Sequence, residues 1–318
     1  MRYVVRADAS KSIGSGHVMR SSAIAEELIA RGETVVFVGR ISDLTWVEER
    51  IAQLGFSNIY SNPQDFTPNS NFDVLVLDSY EIAVDDEFIN LQNWVHVVTI
   101  VDELTPSYSC TLRIHPGLDS NWVGESNISI LAGPKYIPFR SSLSKNISAP
   151  LENSKILKIV VVAGGSDPNN LVLEISKSLA TFSELFEVYL FTDFSSAFTP
   201  DSRFHFCKIG PELDEVSRDA NLVLTTSSTS SLEFIARGFC VGVACAVENQ
   251  KQYYDALARL GIAAQIGLHS SSLGWSLETN MIHKLITEPN FRADLAKKAH
   301  GLIDFKGAAR IVDAIKYL

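Results

Sequence analysis

The chain has 318 residues, a formal charge of −10, and 46% hydrophobic against 20% charged residues. These proportions exclude a disordered, collagenous or low-complexity chain, and the acidity argues against nucleic acid or an anionic membrane as partner. At about 150 residues per domain, the length suggests two domains.

In chain order, a strand is predicted over residues 3–6, a polar glycine-bearing loop over 8–16, and a helix over 17–30 that stops at Gly32. The β-branched run 34–38 reads as a strand and 44–54 as a helix. Residues 73–78 form a continuous apolar run ending in Asp78, the pattern of a buried parallel strand. A helix over 84–91 and a strand over 95–101, followed by Asp102 and Glu103, continue the alternation. The polar stretch 141–155 is the best linker. After it the rhythm restarts: strands over 157–163, 186–191, 204–209, 221–225 and 241–247, helices over 171–181, 231–237 and 250–260, and helix from 277 onward. The expected fold is α/β, two doubly wound Rossmann-like domains over 1–145 and 146–318, the last helix a candidate to pack back on the first. A ligand is expected between two such units, at the carboxyl ends of their strands.

The four cysteines, Cys110, Cys207, Cys240 and Cys245, form no CxxC pair and match no zinc spacing. The first residues carry no signal-peptide pattern, and no apolar stretch approaches the ~18 residues of a membrane span. A cytoplasmic protein with reduced cysteines is expected.

The strongest chemical signal is Gly14-Ser15-Gly16-His17, after a strand and before a helix. Glycines let a ligand approach the backbone, and free N–H groups at a helix start favour an anion. The helix dipole there disfavours a positive imidazole, and a general base must be neutral. A glycine turn with a capping or solvated histidine is the alternative. In the second unit Gly164-Gly165-Ser166-Asp167 occupies the equivalent place, as a phosphate cradle or as a tight turn capped by Ser166 or Asp167. Hydroxyls cluster at a further helix start over 225–231, with Glu233 inside that helix, and Glu248-Asn249-Gln250 lies between a strand and a helix. The strand-end acids Asp78, Asp102 and Glu103 could reach a substrate, or cap and pair within the fold. There is no GxGxxG fingerprint, no Walker lysine, no GxSxG elbow and no HExxH, so neither a dinucleotide nor a metal is indicated.

Ordered over nearly the whole chain, these motifs resemble one family. Arg6-Ala-Asp-Ala-Ser10 with Gly14-Ser-Gly-His-Val-Met-Arg20 looks like the opening of the UDP-2,4-diacetamido-2,4,6-trideoxy-β-L-altropyranose hydrolases of pseudaminic acid biosynthesis. Asp78-x-Tyr80, Asp102-Glu103 with Pro106 and Cys110, Gly133-Pro-Lys-Tyr136 with Arg140, Gly164-Gly-Ser-Asp167, Ser228-Thr229 with Glu233, Asn249-Gln250 and Lys306-Gly-Ala-Ala-Arg310 fit in the same order. The resemblance implies a fold like the GT-B glycosyltransferases and inverting hydrolysis of the anomeric C–O bond, releasing UDP and a free sugar. By it, His17 deprotonates the attacking water. Asp8, Gly14, Gly16, Arg20, Asp78 and Tyr80 serve the sugar side. Gly164, Gly165, Ser166, Ser228, Thr229, Asn249 and Gln250 line the diphosphate, and Glu233 holds the ribose. It implies a UDP-linked amino sugar and water as partners, no metal or other cofactor, no nucleic acid, no membrane and a monomer. Two segments depart from the family: Asp78-Ser79-Tyr80-Glu81 replaces its usual Asp-His-Tyr-Gly, and Leu112-Arg-Ile-His-Pro-Gly117 replaces an Asn-bearing strand. Both belong to the expected sugar side. A GT-B glycosyltransferase using a nucleotide-sugar donor, or a non-catalytic nucleotide-sugar binder, are the alternatives. Sugar release without acceptor marks the hydrolase, and binding without turnover marks the sensor.

Overall fold

The computed structural model describes residues 1–10, 12–102, 108–118, 128–145, 156–164, 167, 169–192, 201–210 and 212–318. They form two units, one of residues 1–142 with 304–318 and one of residues 143–303.

The first unit takes β1 (Arg2–Ala7), α1 (Gly16–Ala30), β2 (Thr34–Val38), α2 (Thr45–Gln53), β3 (Asn58–Tyr60), β4 (Asp73–Asp78), β5 (His96–Ile100), β6 (Leu112–His115) and β7 (Ser129–Ala132). The second takes β8 (Leu157–Val162), α3 (Leu171–Ala180), β9 (Phe186–Phe191), β10 (Phe204–Cys207), α4 (Glu212–Val216), β11 (Leu222–Thr226), α5 (Thr229–Ala236) and β12 (Val241–Cys245). It continues with α6 (Lys251–Leu260), β13 (Ala264–Ser270), β14 (Gly274–Leu277), α7 (Thr279–Thr287) and α8 (Pro289–Ala299). The closing α9 (Gly307–Lys316) belongs to the first unit.

Each unit is a seven-stranded sheet, ordered β3-β2-β1-β4-β5-β6-β7 and β10-β9-β8-β11-β12-β13-β14. Every pair is parallel except β13 with β14. Both orders reverse direction at one place, between β1 and β4 and between β8 and β11, where open α/β sheets leave a crevice at the strand carboxyl ends.

Period-two alternation divides the first sheet. Tyr3, Val5 and Ala7 of β1 pack with Val18, Ile24 and Leu28 of α1 and Ile311, Val312 and Ile315 of α9. Val4, Val36 and Leu75 face the other way, against Phe66, Ile82, Trp94 and Tyr108. The β1–β4 register is fixed at its start, where Arg2 Nε and Nη2 clamp the buried Asp73 carboxylate at 2.7 Å each. α1 ends in a Schellman turn, Glu33 N–H donating to Leu28 O and Gly32 N–H to Ile29 O. In the second unit Ile159, Val161, Leu171, Ile175 and Leu224 anchor a core of the same kind.

The helix expected over 84–91 is instead two short 3₁₀ turns, Glu87–Ile89 and Leu91–Asn93. Asp86 accepts from Phe88 N–H and Asn90 from Gln92 N–H, and such side-chain capping competes with helical continuation. Helix does not begin at Leu277: that residue closes β14, and α7 starts at Thr279. The short strands β3, β6, β7, β13 and β14 were not foreseen. Cys110, Cys240 and Cys245 are buried free thiols, and Cys207 is half-buried.

Candidate active site

In the first unit three side chains of one helix face converge on one carboxylate. His17, Arg20 and Ser21 are spaced i, i+3 and i+4 on α1, so they stand above one another. Asp78 is the last residue of β4 and wholly buried. His17 Nδ1 lies 2.6 Å from Asp78 Oδ1. Arg20 grips the same carboxylate with both branches, Nε to Oδ2 and Nη2 to Oδ1 at 2.6 Å each, and Ser21 Oγ donates to Oδ2 at 3.1 Å. Arg20 Nη1 reaches on to Asp102 Oδ2 at 3.6 Å. Tyr80 donates its phenolic proton to that same Asp102 oxygen. The Tyr80 ring meets the His17 ring edge-on, centroids 4.2 Å apart at 87°.

Electrostatics follow from these contacts. Burial pushes the Asp78 carboxyl up, but the charge and hydrogen bonds of Arg20 and His17 prevail and hold it down to about 2. Asp78 is therefore an anion at neutral pH. Burial, then the charge and hydrogen bond of Asp102, raise the Tyr80 phenol well above its usual range, so it stays a proton donor. With Asp78 ionised, the proton of a neutral His17 belongs on Nδ1, facing the carboxylate. Arg20 Nη2 lies 3.3 Å from Nδ1 but gives its short hydrogen bond to Asp78 Oδ1 at 2.6 Å, so the carboxylate, also 2.6 Å from Nδ1, decides the tautomer. Nε2 is then left with its lone pair, and it has no partner among the described residues.

The loop before α1 is shaped by Gly14, whose φ of +83° favours glycine; its N–H donates to Ser10 O at 2.7 Å. Gly16 is the first residue of α1, and Ser15 before it makes no side-chain cap. Asp8 is not part of the His17 group: it accepts from Arg40 N–H at 2.7 Å and pairs with Arg6 at 2.6 Å. Ser21 and the Tyr80–Asp102 link were missed from sequence. The i+4 spacing from His17 is the signal that could have found Ser21.

In the second unit three loops meet at the carboxyl ends of β8, β11 and β12. Gly164 has φ +89°, and a Cβ there would stand 3.5 Å from Ser230 Oγ and 4.0 Å from both Ser228 Oγ and Thr226 Oγ1. Bare backbone thus faces a cluster of hydroxyls. Ser228 is extended at the start of α5 and makes no side-chain cap there; its Oγ lies 3.0 Å from Thr226 Oγ1. Thr229 begins the helix, and Glu233, half-buried, follows it at i+4. Cross-links fix the loops: Asn169 Nδ2 donates to Ala246 O at 2.7 Å, Gln250 Oε1 accepts from Ala246 N–H at 2.9 Å, and Ser227 Oγ donates to Gln250 O at 3.1 Å. Gln250 therefore holds its loop with its carbonyl end and keeps its amide N–H₂, while Asn249 is exposed. Asp167 caps α3, accepting from Leu171 and Val172 N–H at 2.7 and 3.0 Å. Burial raises its carboxyl, against the pull of those two donors. Gly165 and Ser166 lie outside the described residues.

Among the described residues no three or more His, Cys, Asp or Glu side chains stand where they could hold a metal ion. No helix among them is long and apolar enough to cross a membrane.

With this geometry in place, comparison with known proteins gives the following. No family model matches the chain. Over 288 residues it is 22% identical to the uncharacterized protein MJ1062 of Methanocaldococcus jannaschii, covering 80% of this chain and 58% of that protein. Over 188 residues it is 24% identical to the UDP-2,4-diacetamido-2,4,6-trideoxy-β-L-altropyranose hydrolase of Campylobacter jejuni, covering 56% of this chain and 66% of that one. The matches thus span less than two thirds of either relative. Among solved structures, MurG of Acinetobacter baumannii superimposes with a TM-score of 0.68 at 12% identity over all of both chains. Arabidopsis thaliana UGT89C1, complexed with UDP, gives 0.63 at 11% identity over 99% of both. The fold is that of the GT-B glycosyltransferases.

Proposed function

We propose that the protein is a nucleotide-sugar enzyme that cleaves the anomeric C–O bond of a UDP-linked amino sugar with inversion, and that water is the acceptor. The observation that carries this reading is the His17–Asp78 pair at 2.6 Å, its carboxylate locked by Arg20. His17 Nε2 takes a proton from water as the water oxygen bonds to C1. The bond from C1 to the diphosphate oxygen breaks, and UDP leaves with the electron pair. Asp78 holds the tautomer and steadies the imidazolium that forms; Arg20 and Ser21 hold Asp78. Tyr80 packs the ring in place.

In the second unit the Gly164 backbone, the Ser228 and Thr229 hydroxyls and the start of α5 supply donors for the diphosphate. Gly165 and Ser166 are assigned with them on the sequence resemblance alone. Asn249 and Gln250 offer amide N–H₂ groups, and Glu233 offers two acceptors suited to the ribose diol. Asp8, Gly14 and Gly16 are assigned to the sugar side. The distant likeness to the Campylobacter hydrolase supports water as acceptor, and the UDP carried by the Arabidopsis structure supports the nucleotide.

The test is a proton NMR time course with UDP-linked diacetamido-trideoxy altrose, with His17→Ala as control. Free sugar and UDP appearing only with the unaltered chain is the expected result. UDP binding without release would retire this sugar as substrate. The second reading, transfer to a hydroxyl acceptor, is favoured by the glycosyltransferases that share the fold over the whole chain. Turnover that requires an added acceptor would select it.

A further inference from the structure

β14 is an edge strand of the second sheet and returns antiparallel along β13, which sets Trp275 opposite His269. The two rings meet with centroids 5.1 Å apart, and Trp275, half-buried, packs against the core of the unit. Its indole N–H is not spent on water or on the strand ladder. It donates to Asn169 O at 2.7 Å, 106 positions earlier in the chain.

Asn169 carries the link onward. Its side-chain Nδ2 donates to Ala246 O at 2.7 Å, and Ala246 N–H donates to Gln250 Oε1 at 2.9 Å. Gln250 O in turn accepts from Ser227 Oγ at 3.1 Å. Hydrogen bonds thus run unbroken from the β13–β14 hairpin through the loops that follow β8, β12 and β11, all within the second unit.

Ala246 decides how both amides lie. Its carbonyl can only accept, so Asn169 must present Nδ2; its N–H can only donate, so Gln250 must present Oε1. Nε2 is therefore the end of Gln250 left for a ligand, and it stays so only while the Ala246 peptide groups are held. The loop that brings Asn169 to Ala246 is itself constrained. Asn170 stands in the left-handed region, φ +53° and ψ +38°, a conformation that side chains keep where the surroundings fix it. Both sides are fixed here: Asp167 accepts from Leu171 and Val172 N–H after it, and Trp275 holds the Asn169 carbonyl before it. A donor oriented in advance loses less freedom on binding, so each link of this chain bears on the last.

We propose that Asn169 and Trp275 are positioning residues of the nucleotide site: through Ala246 they keep Gln250 Nε2 ready for a phosphate oxygen, and so set affinity for the diphosphate and not for the nucleoside. This role deepens the nucleotide-sugar reading of the second unit and rests on it.

The experiment titrates the full chain with UDP by calorimetry and with uridine by NMR. Asn169→Ala, which removes the Nδ2 donor, and Trp275→Phe, which keeps an aromatic ring and removes the indole donor, should each weaken UDP about three- to tenfold, the worth of one neutral hydrogen bond. Uridine, which has no phosphate, should bind the variants as it binds the unaltered chain. Gln250→Ala should weaken UDP at least as far, and Asn169→Ala added to it should cost nothing more, because the amide being positioned is gone. Should Asn169→Ala fail to fold, Trp275→Phe, alone and combined with Gln250→Ala, gives the same comparison. Equal losses for UDP and uridine, or losses that add fully in the double variant, would mark a merely structural role and overturn the proposal. UDP affinity indifferent to both single substitutions would overturn it as well. An unaltered chain that binds no UDP would instead overturn the nucleotide-sugar reading, and this role with it.

Discussion

His17 and Asp78 are 61 positions apart in the chain, yet Nδ1 of one and Oδ1 of the other are 2.6 Å apart. The β1–β4 register sets this distance. It places Asp78 opposite Ala7, at the strand end from which the chain turns through the Gly14 loop into α1. The acid and the imidazole are therefore products of sheet pairing and helix phase together.

The first consequence concerns the base. His17→Ala should lower turnover by about two to four orders of magnitude, the usual worth of a general base, with UDP affinity unchanged. Single-turnover kinetics beside UDP calorimetry would measure both, and full retained activity would remove His17 from the reaction.

Asp78→Asn acts on shape and charge at once. It leaves Arg20 without its bidentate partner and replaces the anion that fixes the His17 tautomer with a neutral amide, one end of which donates. A stability loss of about 3 kcal/mol is expected, at the lower end for a broken buried pair because Asp102 stays near Arg20. Activity should fall at least as far as in His17→Ala. Urea unfolding reads the first effect and the time course the second; unaltered stability would contradict the ion-pair network.

Acid should expose the same carboxylate. Asp78 ionises near 2 in the folded chain against an ordinary value of 3.8. A lowered folded value means that its contribution is complete above the unfolded value and is lost as pH falls through the folded one. The difference in stability between the wild type and Asp78→Asn, on the order of 2 kcal/mol from this linkage, should shrink between about pH 4 and pH 2. A difference flat across that window would show that Asp78 is not held anionic by its neighbours.

Gly164→Ala tests the second unit. A φ of +89° strains any side chain, and the new methyl would stand in van der Waals contact with the three hydroxyls that the bare backbone now faces. A stability loss of about 1 kcal/mol and a UDP affinity lower by about tenfold are expected, by thermal melt and calorimetry. Unchanged UDP affinity would move the diphosphate away from this loop.

Local pattern carried much of this into view. Alternating apolar runs and glycine turns placed the two doubly wound units, and a histidine after Gly-Ser-Gly marked the start of α1. The strand-end position of Asp78 was equally legible. Its partner was not, because pairing across 61 residues depends on strand register, which no local window contains. Ser21 escaped because serine inside a helix usually signals nothing. Residues 84–91, expected as a helix, break into 3₁₀ turns because Asp86 and Asn90 each recapture the backbone. Asp8, set on the sugar side by the resemblance, pairs with Arg6 and accepts from Arg40 N–H, contacts that no local window of the sequence shows.

The first unit is finished by α9, whose Ile311, Val312 and Ile315 complete the core over α1. Residues 143–303 lie between the two parts. On the ribosome, at about 5–20 residues per second, the helix bearing His17 waits on the order of ten seconds or longer for its cover. During that interval the second unit can fold continuously, while the first keeps apolar surface open to chaperones or to misassembly. A nascent chain halted before residue 304 carries every member of the His17 network but not the helix that seals its core. The unit that holds the His17–Asp78 pair therefore has its full core only when the last residues of the chain have been made.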